Sequence, residues 1–281
     1  MILYRTLEKI STETLHKTFI EAFSDYQVKM ELPFWKFQGM IQRRGYTPDL
    51  SIGAFDNDRL VGFALNGLRQ WNGKATVYDT GTGVVPEYRR QGITSNIFLH
   101  IKNLLKDMQV EQYLLEVIKP NEPAIQLYRK QGFEIQREFS CFLISKDKFI
   151  PGETHKVEKV NGIDFEEVKD FWDFYPSWQN SAESIEAVSE TFAYFVVRID
   201  NAIAGYGIID EKTGDIPQIA VGKDYRGKGI AGSIMAEMVK TAKSERIGVL
   251  NVDAQLEPFS NFLVKLGFEY HVGQFEMLLK L

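Results

Sequence analysis

Seven residues, Tyr225-Arg226-Gly227-Lys228-Gly229-Ile230-Ala231, have the types and order of a phosphate cradle. Gly227 and Gly229 leave no side chain between backbone and ligand, so successive N–H groups can face an anion at the positive end of the helix predicted to follow. Gly232 extends the set, and Arg226 and Lys228 add charge at the rim. A related stretch, Tyr88-Arg89-Arg90-Gln91-Gly92-Ile93-Thr94, stands 137 residues earlier and is followed by Ser95. Each follows a β-like run and opens an amphipathic helix. Away from these loops, Pro123, Gly132 and Phe133 recur as Pro258, Gly267 and Phe268, displaced by 135 residues. A near-constant offset over separate landmarks is the mark of one unit written twice.

The elements that must position the loops are legible in the same doubled order. In the first half Ile2–Tyr4 reads as a strand, Ser11 announces a helix with Leu15, Phe19 and Phe23 on one face, and a second helix starts near Pro33. Strands follow at Leu50–Phe55, Leu60–Leu65 and Ala75–Val85, the first two joined by a turn at Asp56-Asn57-Asp58. After the helix from Gly92 come a strand at Tyr113–Ile118, a helix capped by Asn121 with Pro123 in its first turn, and one or two strands over Phe133–Ile144. Ser145–Thr154 is polar enough to be a linker. The second half repeats the series with a turn at Asp200-Asn201. Each half is expected to be a mixed-sheet α/β domain of order β-α-α-β-β-β-α-β-α-β-β, spanning residues 1–148 and 149–281.

Bulk properties agree with two compact domains: 281 residues with 44% hydrophobic content suffice for two cores. A net charge of −5, with the basic residues dispersed, gives no electrostatic footprint for nucleic acid or an anionic membrane, so the expected partners are small. Cys141 is the only cysteine, which rules out an intramolecular disulfide and suits a reducing interior. Glu8 and Lys9 follow close on the N-terminus, leaving no apolar signal core, and no window reaches membrane-spanning length. A cytoplasmic monomer or weak homodimer is expected. His16, His100, His155 and His271 are scattered without metal-ligand spacing, so no metal is expected.

Arg226-x-x-Gly229-x-Ala231 resembles the acyl-CoA pyrophosphate signature of the GNAT superfamily of N-acetyltransferases. Arg89-x-x-Gly92-x-Thr94 resembles it with threonine in the small-residue place. The placement after a fourth strand, the duplication, and the Asn121…Tyr128…Gly132-Phe133 run extend the resemblance over essentially the whole chain. It implies two tandem acyl-CoA N-acyltransferase (GNAT) domains and direct transfer of an acetyl group, from acetyl-CoA as co-substrate, to a primary amine of a small-molecule or peptide acceptor. The cradles would be Arg89, Arg90, Gln91, Gly92, Ile93, Thr94 and Ser95 in the first domain, and Arg226, Gly227, Lys228, Gly229, Ile230, Ala231 and Gly232 in the second. Val84, with Val85, and Val221 match the strand-end position whose backbone pairs with the pantetheine arm. Asn121 and Ala124 would stand beside that arm.

The resemblance also assigns the proton chemistry. Tyr128 occupies the place of the tyrosine that protonates the departing sulfur, whereas its counterpart Leu263 has no proton to give. Phe259 replaces Ala124 and is expected to crowd the second channel. For the base, the strand-four spacing gives Asp215 in the second half but Tyr78 in the first, with Asp79 as its neighbour. Side chains alternate along a strand, so Asp79 serves only if a bulge intervenes, which Gly81 and Gly83 favour. Glu116, one strand over, is the other candidate. The first domain is therefore expected to be catalytic and the second degenerate or structural. Phe34, Trp35 and Trp71, and in the second half Phe171, Trp172, Phe174, Tyr175 and Trp178, are candidate acceptor-pocket residues. Two rival readings stand beside this one: an acyl-CoA-binding sensor or scaffold without turnover, and a dinucleotide-binding oxidoreductase using Gly227-x-Gly229-x-x-Gly232 with Asp253 as ribose ligand. The late position of that fingerprint, and the single glycine in the first copy, count against the second rival.

Overall fold

A computed structural model describes residues 1–25, 32–106, 108–152 and 155–281; Glu153 and Thr154, at the end of the expected linker, lie outside the described residues. The chain forms two compact units, Met1–Gln136 with Phe275–Leu281, and Arg137–Gln274.

In the first unit the order is β1 (Ile2–Thr6), α1 (Thr12–Ala22), α2 (Phe34–Arg43), β2 (Ile52–Asp56), β3 (Arg59–Trp71), β4 (Lys74–Val84), α3 (Ile93–Leu105), β5 (Gln112–Ile118) and α4 (Glu122–Lys130). Local chemistry sets the boundaries as expected. Ser11 Oγ accepts from Thr14 N at the start of α1, and Asn121 Oδ1 accepts from Ala124 N at the start of α4, with Pro123 in the first turn. The tight turn between β2 and β3 puts Asn57 at φ 52°, a conformation asparagine tolerates well. The sheet runs β1-β2-β3-β4-β5. Phe19, Phe37, Phe63, Ile97, Phe98 and Tyr113 are among the residues of its core.

The second unit contains β7 (Glu158–Val160), α5 (Phe165–Val168), α6 (Ala182–Glu186), β8 (Phe192–Ile199), β9 (Ala202–Asp210), β10 (Gln218–Val221), α7 (Ile230–Thr241), β11 (Arg246–Asp253) and α8 (Glu257–Lys265). Its turn between β8 and β9 holds Asp200 and Asn201 at φ 50° and 66°, the two left-handed residues that a two-residue hairpin of this hand requires. The strands β10-β9-β8-β7 form one antiparallel sheet. That antiparallel order rules out the parallel doubly wound sheet on which a dinucleotide fingerprint operates.

Each half of the sequence ends in one unbroken strand, where one or two were expected: β6 (Glu134–Ser145) and β12 (Glu269–Lys280). The membership of these strands is divided. Residues 137–145 of β6 belong to the second unit, where they pair antiparallel with β11 from Arg246↔Ser145 to Asp253↔Phe139. Residues 275–280 of β12 belong to the first unit, where β12 lies next to β5. The side chains explain the exchange. Phe142 and Ile144 are buried in the core of the second unit and Met277 in that of the first, with Phe275 and Leu279 half-buried against it. Each unit is thus finished by a segment from the other half of the sequence. Among the described residues no helix is long and apolar enough to cross a membrane.

Candidate active site

The two loops have one geometry. Gly92 is the N-cap of α3 at φ 76° and Gly229 the N-cap of α7 at φ 80°, and neither cap is closed by a side chain. The residue two before each is also left-handed: Gly227 at φ 73°, and Arg90 at φ 61°. Arginine thus holds a conformation in the first loop that glycine takes without steric cost in the second. A Cβ placed on Gly92 or Gly227 would meet nothing within 4 Å, so the space above both loops is open. Helix N-terminal N–H groups facing open space fit the pyrophosphate of coenzyme A.

The arginines that open the signatures are placed differently from a free rim charge. Arg89 donates from Nε to the Val84 carbonyl (3.1 Å), from Nη2 to the Ala22 carbonyl (2.8 Å), and from both terminal nitrogens to Asp25 (2.6 and 2.7 Å). Arg226 repeats the pattern on the Val221 carbonyl (3.1 Å), the Phe171 carbonyl (3.0 Å) and Asp173 (2.8 Å). Arg89 holds the Asp25 carboxyl below its ordinary value. These guanidiniums tie the end of the fourth strand to the segment between β1 and β2 in the first unit, and between β7 and β8 in the second, and so fix the loop. Other predicted cradle members also face protein. Ile93 and Ile230 are core residues, packed where Gly62 and Gly205 leave no room for a side chain. Gly232 lies against Gly152, and Lys228 Nζ donates to the Asp224 carbonyl. Gln91 Nε2 donates to the Glu87 carbonyl, Val85 N to the Val61 carbonyl, and Asn121 caps its own helix. Ser95 is exposed, and Thr94, Ala124 and Ala231 are half-buried.

In the first unit β4 and β5 pair in parallel from Thr76↔Gln112 to Asp79↔Leu115, where the register ends, short of Val84 and Ile118. Asp79 sits at that parting. The pairing of β3 with β4 shifts between Leu65↔Gly81 and Asn66↔Asp79, so Thr80 is an extra residue, the bulge that the flanking glycines favoured. The Asp79 carboxylate is 7% exposed and accepts from Gly81 N (2.8 Å) and Thr82 Oγ1 (2.6 Å). Burial outweighs those bonds and the Arg44 charge, and raises its pKa to about 6. Tyr113 donates to Asn66 Oδ1 (2.6 Å); burial first, then the charge of Asp79, holds its hydroxyl well above the ordinary value, and Tyr128 adds to this. Tyr128 is 8% exposed and packs edge-on to Phe98 and Phe133, with ring centroids 5.8 Å away in both cases. Glu116 follows on the parted stretch of β5.

Two residues of this neighbourhood, Arg44 and Glu276, were missed in the sequence, and a third, Tyr78, was named there only for its strand-four spacing. Tyr78 is fully buried, and burial, then Glu116, with further contributions from Asp79 and Glu276, pushes its hydroxyl well up, opposed by Arg44. Arg44 Nη1 donates to the bulge carbonyl of Thr80 (2.9 Å). Glu276, on β12, is 4% exposed. Arg44 and Glu276 lie 35 positions before and 197 after Asp79, and no spacing rule connects them; only the exchanged strand brings Glu276 to this sheet. Of the expected acceptor-pocket residues, Trp71 is buried and Trp35 exposed.

In the second unit the segment that leads into β10 meets β11 at the parallel bridge Asp215↔Gly248. A cavity of about 370 Å³ opens beyond it, lined among others by Phe171, Trp172, Phe174, Val221, Gly227 and Asn251. Phe259 forms part of its wall, stacked on Phe262 at 5.9 Å, and leaves the space open rather than crowding it. Trp178 is buried outside this lining, and Leu263 is a core residue. Asp215 does not line the cavity; the neighbouring wall residue is Ile216.

A sequence profile of the acetyltransferase (GNAT) family matches residues 12–133 and 161–268, one region in each half. The chain belongs to this family. It is 26% identical over 141 residues to N-alpha-acetyltransferase 30 of Schizosaccharomyces pombe, a match covering 49% of this chain and 85% of that protein. Its fold is similar to that of a tandem GNAT protein from the clavulanic acid biosynthesis pathway, with a TM-score of 0.75 at 14% identity over 100% of this chain and 98% of that one. A GCN5-related N-acetyltransferase from Sphaerobacter thermophilus is similar to the same degree: TM-score 0.75, 14% identity, 99% of this chain and 95% of that one. The tandem mixed-sheet α/β architecture of an acyltransferase is therefore established.

Proposed function

We propose that the chain transfers an acetyl group from acetyl-CoA to a primary amine, that the acceptor is a small molecule or a peptide, and that the first unit carries the chemistry. The observation that carries this reading is Asp79, a buried carboxylate at the parting of β4 and β5, whose pKa of about 6 leaves it ionised at neutral pH yet basic enough to take a proton. Acetyl-CoA supplies the activated acyl group as a thioester. Asp79 takes the proton from the attacking ammonium or amine, while Gly81 N–H and Thr82 Oγ1 hold its carboxylate in place. Tyr128 supplies a proton at the sulfur. The α3 N-terminus at Gly92 orients the pyrophosphate, and Arg89 keeps that loop fixed to the strand end. A relative named for acetylating α-amino groups supports an amine acceptor. A cytoplasmic setting suits a single, buried cysteine thiol.

For the second unit the favoured reading is binding without turnover. Ile216, Asn251 and Leu263 stand at the places that correspond to Asp79, Glu116 and Tyr128, so neither proton transfer has a side chain to perform it. Release of free thiol from acetyl-CoA, followed across a panel of amines, tests the whole proposal. Transfer that is lost in Asp79→Asn supports it; full transfer in a folded Asp79→Asn protein places the base elsewhere.

A further inference from the structure

The second-unit cavity is more than a channel that has lost its catalyst, because its wall has a definite chemistry. The polar groups on it bond to one another. Trp172 Nε1 donates to Tyr206 Oη (2.6 Å), Tyr206 donates to Gln218 Oε1 (2.6 Å), and Gln218 Nε2 donates to the Asn180 carbonyl (2.6 Å). Asn180 Nδ2 in turn donates to the Leu250 carbonyl (2.9 Å), and Asn251 Nδ2 to Ser177 Oγ (2.9 Å). Of its lining residues, Asp173 and Arg226 are the charged ones, and they pair with each other at 2.8 Å. What remains facing the space is aromatic and aliphatic: Phe171, Phe174, Ile219, Phe259 and Phe262.

A charged ligand group would lose its water there and find no partner, whereas an apolar one is stabilised by leaving water. The volume points the same way. A cavity of about 150 Å³ takes a benzene ring, so one of about 370 Å³ exceeds what a two-carbon acetyl group fills. The same lining includes the Arg226–Gly227 loop and Ala231, at the helix terminus fitted to a pyrophosphate. The ligand that satisfies both surfaces is anionic at its head and apolar at its tail.

We propose that the second unit binds a CoA thioester whose acyl chain is longer than acetyl, and holds it without transferring it. This rests on the reading that the second loop accepts the pyrophosphate of coenzyme A, and the experiment separates the two. In a full-length Gly92→Glu protein, in which the first loop is blocked, calorimetric titrations compare coenzyme A, acetyl-CoA, octanoyl-CoA and octanoic acid. Each fully buried methylene strengthens binding about fourfold, so a partly seated octanoyl chain should bind on the order of a hundredfold more tightly than acetyl. Ile219→Trp, which fills the cavity, should remove that gain and leave coenzyme A itself bound. Octanoyl-CoA binding no more tightly than acetyl-CoA overturns the proposal while leaving the loop's role intact, and this holds whether or not Ile219→Trp folds. Failure of every CoA species to bind removes the underlying reading and the proposal with it. Octanoic acid binding as tightly as its thioester excludes the thioester as ligand. Sustained release of thiol from octanoyl-CoA with amines present overturns the claim that it is held without transfer.

Discussion

The first and second units share a scaffold to the level of individual hydrogen bonds: a left-handed glycine at the N-cap, an arginine on the carbonyl of the fourth strand's last valine, an aspartate clamping that arginine. They part company in the groups that would move protons. Asp79 stands against Ile216, Glu116 against Asn251, Tyr128 against Leu263. The loop and its brace are what a fold needs to hold coenzyme A, and the carboxylate and phenol are what a reaction needs in addition. On the proposed function, one chain separates binding from chemistry.

The comparison breaks most completely if the units prove independent. A fragment of residues 1–148 lacks the buried Met277, the half-buried Phe275 and Leu279 that pack against the first core, and the strand that carries them. At ~2–5 kcal/mol per large buried side chain, the loss is on the order of a domain's whole stability. The fragment should show no cooperative thermal transition by circular dichroism. A sharp one would mean that the exchanged strand is dispensable.

Next in size is the pair Gly92→Glu and Gly229→Glu. A carboxylate in either loop repels phosphate and fills the open space. Turnover should disappear in the first variant and persist in the second; the reverse result would exchange the roles of the units.

Asp79→Asn should lower kcat/KM by ~10²–10⁴-fold. In the parent protein, kcat/KM should rise with pH and reach half its plateau near 6, the value to which burial brings Asp79. The stability effect of the same group has the opposite sign. Its folded pKa lies above the ordinary 3.8, so the folded protein binds more protons between about 4 and 6, and this group's contribution to stability declines as pH rises through that window. Activity lost at pH 5 with an undiminished melting temperature would fit both; a pH profile unchanged in Asp79→Asn would fit neither.

The smallest catalytic effect belongs to Tyr128→Phe. A thiolate leaves fairly well unaided, so the loss should fall near or below ~10²-fold, in kcat rather than in coenzyme A affinity. Full kcat, with chemistry rate-limiting, would make Tyr128 a packing residue beside Phe98 and Phe133.

Much of this was legible in the residues. The caps at Ser11 and Asn121, the turns at Asn57 and Asp200-Asn201, the duplicated loops and the bulge beside Asp79 all follow from rules acting over a few positions. What escaped was long-range. Nothing local to Arg89 says that its guanidinium bonds to Asp25 and Ala22 rather than facing an anion. Nothing near Phe139 or Phe275 says that a single strand is divided between two cores, because its alternating pattern suits either. Phe259 was expected to crowd a channel on size alone; its stacking on Phe262 depends on a rotamer that sequence does not specify.

The divided strands set a clock on the protein's birth. Residues 1–136 of the first unit emerge from the ribosome well before residues 275–281 that complete it. At ~5–20 residues per second the interval is on the order of ten seconds. Throughout it, the side of β5 that β12 will cover is an open strand edge, the kind of surface that recruits other chains. A stalled nascent chain ending before Phe275 should be cut by protease within its first unit, and one with Leu281 clear of the tunnel should resist. The second unit, residues 137–274, is continuous in sequence and is complete before residue 275 is made. The first unit therefore cannot be completed until residues 275–281 are made, after all of the second.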